Sequence, residues 1–315
     1  MRKELIVTAL VSLALLAVYY STQEAKVSAF DEWKAQYGAN WSGEEEAFRR
    51  LIFEKNVRII EKHNADASQT YKMGINQFTV YTQEEFASTY LTPMMGEATL
   101  PEPVIEEVET LNTVGDVDWS TQGKVSHVKN QGSCGSCWAF SATGVLESYA
   151  LLKGQTADLS EQQLVDCTRD LGNYGCNGGW PSNALKYAAS KGLSSENQYP
   201  YVARDQACKL TGGSFKISGQ KSHSGFSGLQ NGISSTPISV TVDATNWSGY
   251  KSGVFSNCKT SINHAVLLVG FVNGAYKIKN SWGTGWGEQG YIRLDGVNKQ
   301  ANTCGVYSYA GVTAA

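Results

Sequence analysis

The stretch Gln131-Gly132-Ser133-Cys134-Gly135-Ser136-Cys137-Trp138-Ala139-Phe140 decides how this chain is read. It puts a thiol at the start of a predicted helix and a side-chain amide six residues upstream. The helix is predicted over 137–153, from Ala139, Phe140, Val145, Leu146, Ala150 and Leu151, with Gly154 as its stop. The thiolate is the reactive form of cysteine, and a helix N-terminus beside an imidazolium brings its pKa into a range of about 3.5–7.5. Cys137 is therefore a candidate nucleophile. Of the three histidines after residue 112, only His264 opens an apolar run, Ala265 to Gly270, that would fix it at the end of a buried strand. Asn280 follows sixteen residues later in Lys279-Asn280-Ser281-Trp282-Gly283, a distance that suits a hairpin returning beside His264. Thiol, imidazole and amide are a nucleophile, its base and an orienting group.

A metal or redox reading of Cys134 and Cys137 is weaker. A zinc site needs two more ligands, and no second pair lies at a suitable spacing; a redox motif would want a preceding parallel strand. No metal is expected. All seven cysteines lie after residue 130. Their odd number implies disulfides plus one free thiol in an oxidising compartment, with fifteen connectivities open for six paired residues. That compartment agrees with Met1-Arg2-Lys3-Glu4 followed by the apolar run 5–18, which has the length and charge of a secretory leader over 1–20. Two sequons, at Asn40 and Asn246, are candidate glycosylation sites.

Hydrophobic residues make up 42% and charged residues 17%, which excludes a disordered chain. The net charge of −3 conceals a division. Residues 21–112 hold 8 basic against 16 acidic side chains, and 113–315 hold 16 against 12. The excess of positive charge is too dilute for nucleic acid, so attraction between the two parts is the expectation. Residues 28–90 read as helical. Phe30, Trp33 and Tyr37 recur at helical spacing, and Ser42 stands as N-cap before Glu44, Glu45 and Glu46. The second helix carries Glu45, Arg49, Phe53, Asn56, Ile60 and Asn64 on one face, as their steps of three and four require. Residues 93–109 have linker composition. Further on, helices are predicted after Ser160 and over 182–190, then strands at 238–242, 264–271, 276–279 and 290–294. Helices first and strands later predict an α+β molecule of two lobes with a cleft between them.

The stretch around Cys137, with His264, Asn280 and the run Asn280-Ser281-Trp282-Gly283-Thr284-Gly285-Trp286-Gly287, resembles the papain family of cysteine proteases, of the cathepsin L-like kind. The six residues of the second helix match that family's inhibitory propeptide signature. Gly74, Asn76 and Phe78 belong to a second propeptide motif, whose closing aspartate is replaced by Val80. The resemblance implies a leader at 1–20, a helical propeptide at 21–112 and a papain-like domain at 113–315. That domain would have a helical lobe at about 122–223 and a β-barrel-like lobe at about 224–308. It implies the disulfides Cys134–Cys176, Cys167–Cys208 and Cys258–Cys304. It implies attack by Cys137, proton transfer by His264, orientation of His264 by Asn280 and shelter from Trp282. Gln131 would stabilise the oxyanion with the Cys137 N–H. Gly179 would pair with substrate backbone beside Asn263. Trp180, Pro181, Thr241, Ala265 and Tyr309 would line the pocket for the residue second before the scissile bond, made shallow by Tyr309. The expected activity is that of an endopeptidase without cofactor, made as a zymogen and activated in acid. It would be a monomer in the secretory pathway, lysosomal, vacuolar or extracellular, without a stable membrane anchor. Its partners would be peptide and protein substrates, its own propeptide and cystatin-type inhibitors. A silent binding protein on the same fold and a peptide ligase are the other classes that the residues allow.

Overall fold

The computed structural model describes residues 29–92, 115–297 and 302–315. The expected leader, the linker and the boundaries at 20/21 and 112/113 lie outside the described residues. The N-terminal segment opens with helix α1 (29–37) and the long α2 (Gly43–Ala65). Ser42 takes the N-cap position of α2, but its side chain makes no capping bond; the first-turn glutamates face the positive end of the helix instead. Phe30, Trp33, Phe53, Val57 and Val80 form a small apolar core between these helices. That enclosure suits valine at position 80 and would penalise an unpaired carboxylate there.

The segment continues through strand β1 (Tyr71–Met73) and helix α3 (Gln83–Tyr90). A helical reading of 28–90 therefore fails at β1. The strand owes its form to a partner nearly two hundred residues away, for which no local signal exists. Helix α3 starts on a full capping box, with Thr82 accepting from the Glu85 N–H and the Glu85 carboxylate accepting from the Thr82 N–H.

Beyond residue 115 come β2 (Val117–Asp118), α4 (Cys137–Leu152), α5 (Glu161–Cys167) and α6 (Pro181–Ser190). They are followed by β3 (Gln220–His223), α7 (Gly225–Ile233), β4 (Ile238–Val242), β5 (Tyr250–Phe255) and β6 (His264–Val272). The chain ends with β7 (Ala275–Lys279), β8 (Tyr291–Asp295) and β9 (Gly311–Ala314). Helix α4 is apolar almost all round and buried accordingly; Gly154, at φ 74°, supplies the left-handed turn beyond its end. Ser160 caps α5 by accepting from the Gln163 N–H, and Pro181 occupies the first turn of α6, where its missing N–H costs nothing.

The strands form one nine-stranded sheet in the order β1-β5-β8-β7-β6-β4-β9-β3, with β2 paired to β6. Among the described residues, only β5 and β8 run parallel. One core lies on the sheet around Trp247, Trp282 and Trp286; a second surrounds α4. Strands β2, β3 and β9 all belong to the sheet, so it reaches past the expected 224–308 span at both ends. Helix α4 packs across β6, and this contact sets the cleft. The disulfides are Cys134–Cys176, Cys167–Cys208 and Cys258–Cys304, leaving Cys137 as the free thiol. Among the described residues no helix is long and apolar enough to cross a membrane. Asn40 is exposed between α1 and α2, whereas Asn246 is half-buried and donates from Nδ2 to the Asn257 carbonyl.

Candidate active site

Three elements converge on the thiol. Cys137 is the first residue of α4, at the positive end of its dipole. His264 is the first residue of β6, and Asn280 directly follows β7, the antiparallel neighbour of β6. That hairpin brings His264 Nε2 to 2.8 Å from Asn280 Oδ1. Because Oδ1 accepts, Nε2 carries the proton and Nδ1 presents a lone pair; Nδ1 has no partner among the described residues. The Trp282 ring lies over the imidazole, with centroids 4.8 Å apart and planes 28° from parallel. All four side chains are buried.

Gln131 is also fully buried. Its Nε2 donates to the Cys134 carbonyl at 2.9 Å, and its Oε1 accepts from Ser281 Oγ at 2.7 Å. Gly179 lies against Asn173, whose Oδ1 accepts the Trp180 N–H at 2.7 Å. The rings of Trp180 and Tyr309 meet at 5.0 Å, with Tyr309 45% exposed at the rim. Thr241 and Ala265 stand directly opposite each other on β4 and β6, and Pro181 is buried at the start of α6. The Asn263 side chain is used up locally: Oδ1 accepts from Ala244 N and Nδ2 donates to Thr245 Oγ1.

The N-terminal segment covers this arrangement. The Asn263 carbonyl accepts the Thr92 N–H at 3.0 Å, and Thr92 Oγ1 sits 3.9 Å from Cys137 Sγ. The Tyr90 carbonyl lies 3.4 Å from Gln131 Nε2. A β-carbon on Gly135 would strike the Thr92 side chain at 2.1 Å and the Cys176 carbonyl at 2.4 Å, so this approach needs glycine. Phe78 and Phe86 pack edge-on against Trp282, at 5.2 and 5.4 Å. Burying two such rings stabilises the contact by about 3–6 kcal/mol. Strand β1 joins the sheet edge at β5, with Tyr71 opposite Gly253.

The matched helix-face residues hold the segment's own shape. Arg49 bonds Glu45, Glu85 and the Val80 carbonyl; Asn56 bonds the carbonyls of Thr79 and Tyr81; Asn64 pairs with both backbone groups of Met73. Phe53 and Ile60 are buried. Asn76 donates to the Ser248 carbonyl, and Gly74 N–H to that of Gly249. Each ion pair seen among the described residues stays within one half of the chain. The attraction expected between the halves is therefore not realised as pairs; apolar contacts, backbone bonds and side-chain amides bonded to carbonyls join them.

The depressed thiol pKa expected from a helix end and an imidazolium is not the state seen here. Burial pushes the Cys137 thiol up. Burial also pulls His264 down to about 4, against the opposing effect of its bond to Asn280. Both groups are neutral under this cover, and the ion pair awaits water. Below the cleft Lys129 binds the buried Glu147 and Glu161 at 2.8 and 2.9 Å, a cluster with no signature in the sequence. Ser281, Thr92 and Asn173 also went unassigned there. Ser281 lies inside the recognised run, whereas nothing local marks the other two.

Comparison with known proteins agrees with this geometry. Residues 114–314 match the model of the papain family cysteine proteases, and 30–86 that of the cathepsin propeptide inhibitor domain (I29). Cathepsin L 2 of Paramecium tetraurelia is 40% identical over 295 residues, covering 88% of this chain and 89% of the relative. The cathepsin L-like proteinase of Fasciola hepatica is 40% identical over 299 residues, 89% and 91% of the two chains. The digestive procathepsin L 3 structure from Tenebrio molitor larval midgut superposes with a TM-score of 0.83 at 35% identity, over 92% of this chain and 99% of that one. A free thiol beside an oriented imidazole, covered by residues 78–92 of the same chain, thus has its counterpart in known proenzymes: the chain belongs to the papain family of cysteine proteases and carries a cathepsin-type inhibitory propeptide ahead of its peptidase domain.

Proposed function

We propose that Cys137 is the nucleophile of a cathepsin L-like endopeptidase that this proenzyme holds inert until the propeptide is removed. The observation that carries the reading is the buried 2.8 Å bond from His264 to Asn280, which leaves Nδ1 as the free base at the cleft. Once water enters, His264 takes the Cys137 proton and the thiolate attacks the substrate carbonyl. The oxyanion collects hydrogen bonds from the Cys137 N–H and Gln131 Nε2. His264 then returns the proton to the leaving amine, and water hydrolyses the acyl-thioester. Gly179 and Asn263 hold substrate backbone. Trp180, Pro181, Thr241, Ala265 and Tyr309 select the second residue before the cut, with a preference for medium aliphatic side chains.

The propeptide extends to about residue 112 after a leader of about twenty residues, which directs a monomeric enzyme into the secretory pathway. Acid releases it by protonating carboxylates that brace the propeptide, Glu85 and Glu46 above all. Cystatin-type proteins suit the open cleft of the mature form. The test is to acidify purified precursor under reducing conditions, alongside Cys137→Ala, while following size and cleavage of a Leu-Arg fluorogenic peptide. Conversion to about 200 residues with activity that the variant lacks supports the reading. A precursor that stays whole in acid, and remains inactive once added protease has clipped the propeptide, defeats it. Amide products formed in place of acid when an amine is added would favour the ligase class.

A further inference from the structure

We propose that Asn173 is a positioning residue for substrate: its side-chain amide turns the backbone of Gly179 outward, so that the Gly179 carbonyl can accept an N–H of the bound peptide. The inference rests on the reading of Gly179 as the residue that pairs with substrate backbone. A trans peptide unit is planar, with its C=O and N–H on opposite sides, and none of the described peptide bonds is cis. Two such units flank the Gly179 α-carbon. In the first, the Gly178 carbonyl accepts the Tyr174 N–H at 2.8 Å, which sends the Gly179 N–H the other way. In the second, the Trp180 N–H donates to Asn173 Oδ1 at 2.7 Å, which sends the Gly179 carbonyl the other way. Both backbone groups of Gly179 thus face away from residues 173 and 174, and neither has a partner among the described residues. An unpaired N–H and C=O on one residue are what an added strand needs.

The two units differ in how they are held. Backbone fixes the first, whatever side chains stand nearby. The second depends on one side chain, that of Asn173. It is 1% exposed, so water has little access to compete for its bonds. Its Nδ2 donates to Thr168 Oγ1 at 3.0 Å, and that hydroxyl donates to the Leu164 carbonyl of α5 at 2.7 Å. Both ends of the amide are therefore assigned, and a flip would set like groups against each other. The amide also presses close. A β-carbon on Gly179 would lie 2.5 Å from Asn173 Oδ1, so the contact itself requires glycine. The loop is tied to the segment that carries the thiol by the Cys134–Cys176 disulfide and by the bond from the Gly135 N–H to the Cys176 carbonyl at 2.9 Å. The outward pair on Gly179 is thereby fixed relative to Cys137.

The experiment uses activated enzyme and two matched fluorogenic peptides, one with its backbone N–H and one with an ester oxygen at the residue second before the cut. Trp180 is read as lining the pocket for that residue, so its N–H is the one set opposite the Gly179 carbonyl. In wild type the ester should lower kcat/KM about tenfold, as loss of a hydrogen bond that leaves a carbonyl unpaired does. Asn173→Ala should lower kcat/KM for the amide peptide about tenfold and shrink the amide-to-ester ratio below about threefold. A merely structural loss would lower both peptides alike and keep the ratio. Thr168→Val, of similar volume, takes away the acceptor of Asn173 Nδ2 and carries the same test should the alanine variant fold poorly. A ratio that stays above about threefold in every variant that folds would overturn the proposal. If wild type itself shows no preference for the amide, the reading of Gly179 falls and the proposal with it.

Discussion

At the residue scale the thiol has two environments. Under the propeptide Cys137 is enclosed, faces the Thr92 hydroxyl and lacks an imidazolium neighbour; burial holds it in the unreactive thiol form. Exposed, it keeps its place at the end of α4 and gains a hydrated His264. Alkylation by iodoacetamide at pH 7 should therefore be at least about 100-fold slower in Cys137 of the precursor than in the mature enzyme, measured by mass spectrometry of the labelled peptide. The specificity residues also allow a residue-scale test. Tyr309 lies ring to ring with Trp180 at the cleft rim. Replacing it with alanine opens space beside Trp180, so Tyr309→Ala should raise kcat/KM for a phenylalanine two residues before the cut by about tenfold relative to valine, in line with the worth of a few buried methylenes. An unchanged ratio would remove Tyr309 from the pocket.

At the element scale, α3 is the hinge of inhibition. It carries Phe86 against Trp282, stacks Tyr90 on Phe86 and delivers Thr92 to the thiol. Its start depends on Glu85, which closes the capping box and also pairs with Arg49 of α2 at 2.8 Å. The hydrogen bond from Arg49 is the main reason that the Glu85 carboxyl sits below its usual range. A carboxylate depressed in the docked state adds stability above its ordinary pKa, and that stability is lost as pH falls through the lowered value. Glu85→Gln keeps a capping amide but discards the charge. Precursor conversion should then proceed at pH 6 at least about threefold faster than in wild type, because the acid-sensitive pair is already gone. Gel densitometry across pH would show a flattened profile; an unaltered one would place the trigger elsewhere. The Val80 core contributes no such switch, since its buried members Phe30, Trp33, Phe53, Val57 and Val80 carry no carboxylate or imidazole.

At the scale of the whole molecule, the halves meet through a shared apolar core and an added strand. Tyr71, Phe78, Phe86 and Tyr90 belong to the same cluster as Trp247, Trp282 and Trp286, and β1 extends the sheet. His264 adds a second acid response here. Burial pulls its pKa down to about 4, so an opening that hydrates the ring would let it take up a proton in acid. The stability that this group lends the closed state is complete above about pH 6.5 and declines as pH falls toward 4. Since no ion pair among the described residues crosses the junction, added salt has little to screen. Raising NaCl from about 0.05 to 0.5 M at pH 7 should alter precursor conversion by less than about threefold. A steep salt dependence would restore long-range attraction between the acidic and basic halves as the main force.

The chemistry and its carriers are written in local sequence. Cys137 opening a helix, His264 opening a buried strand and Asn280 on the returning strand were legible because each depends on local pattern and short spacing. The helices α2, α4, α5 and α6 were legible for the same reason. The family resemblance supplied the disulfide pairing, which cysteine counting alone left open. Tertiary structure decided the rest. Strand β1 exists because β5 offers it an edge far away in sequence, whereas α3 lies within the helical reading of 28–90 and carries its own capping box. Cys137 and His264 are kept neutral by burial among residues distant in sequence, which no motif at the site can report. Ser281 lies inside a local run, yet its contact with Gln131, 150 residues away, exists only in the fold. Burial and the orientation of a buried amide are properties of neighbours, and neighbours are assigned only when the chain folds.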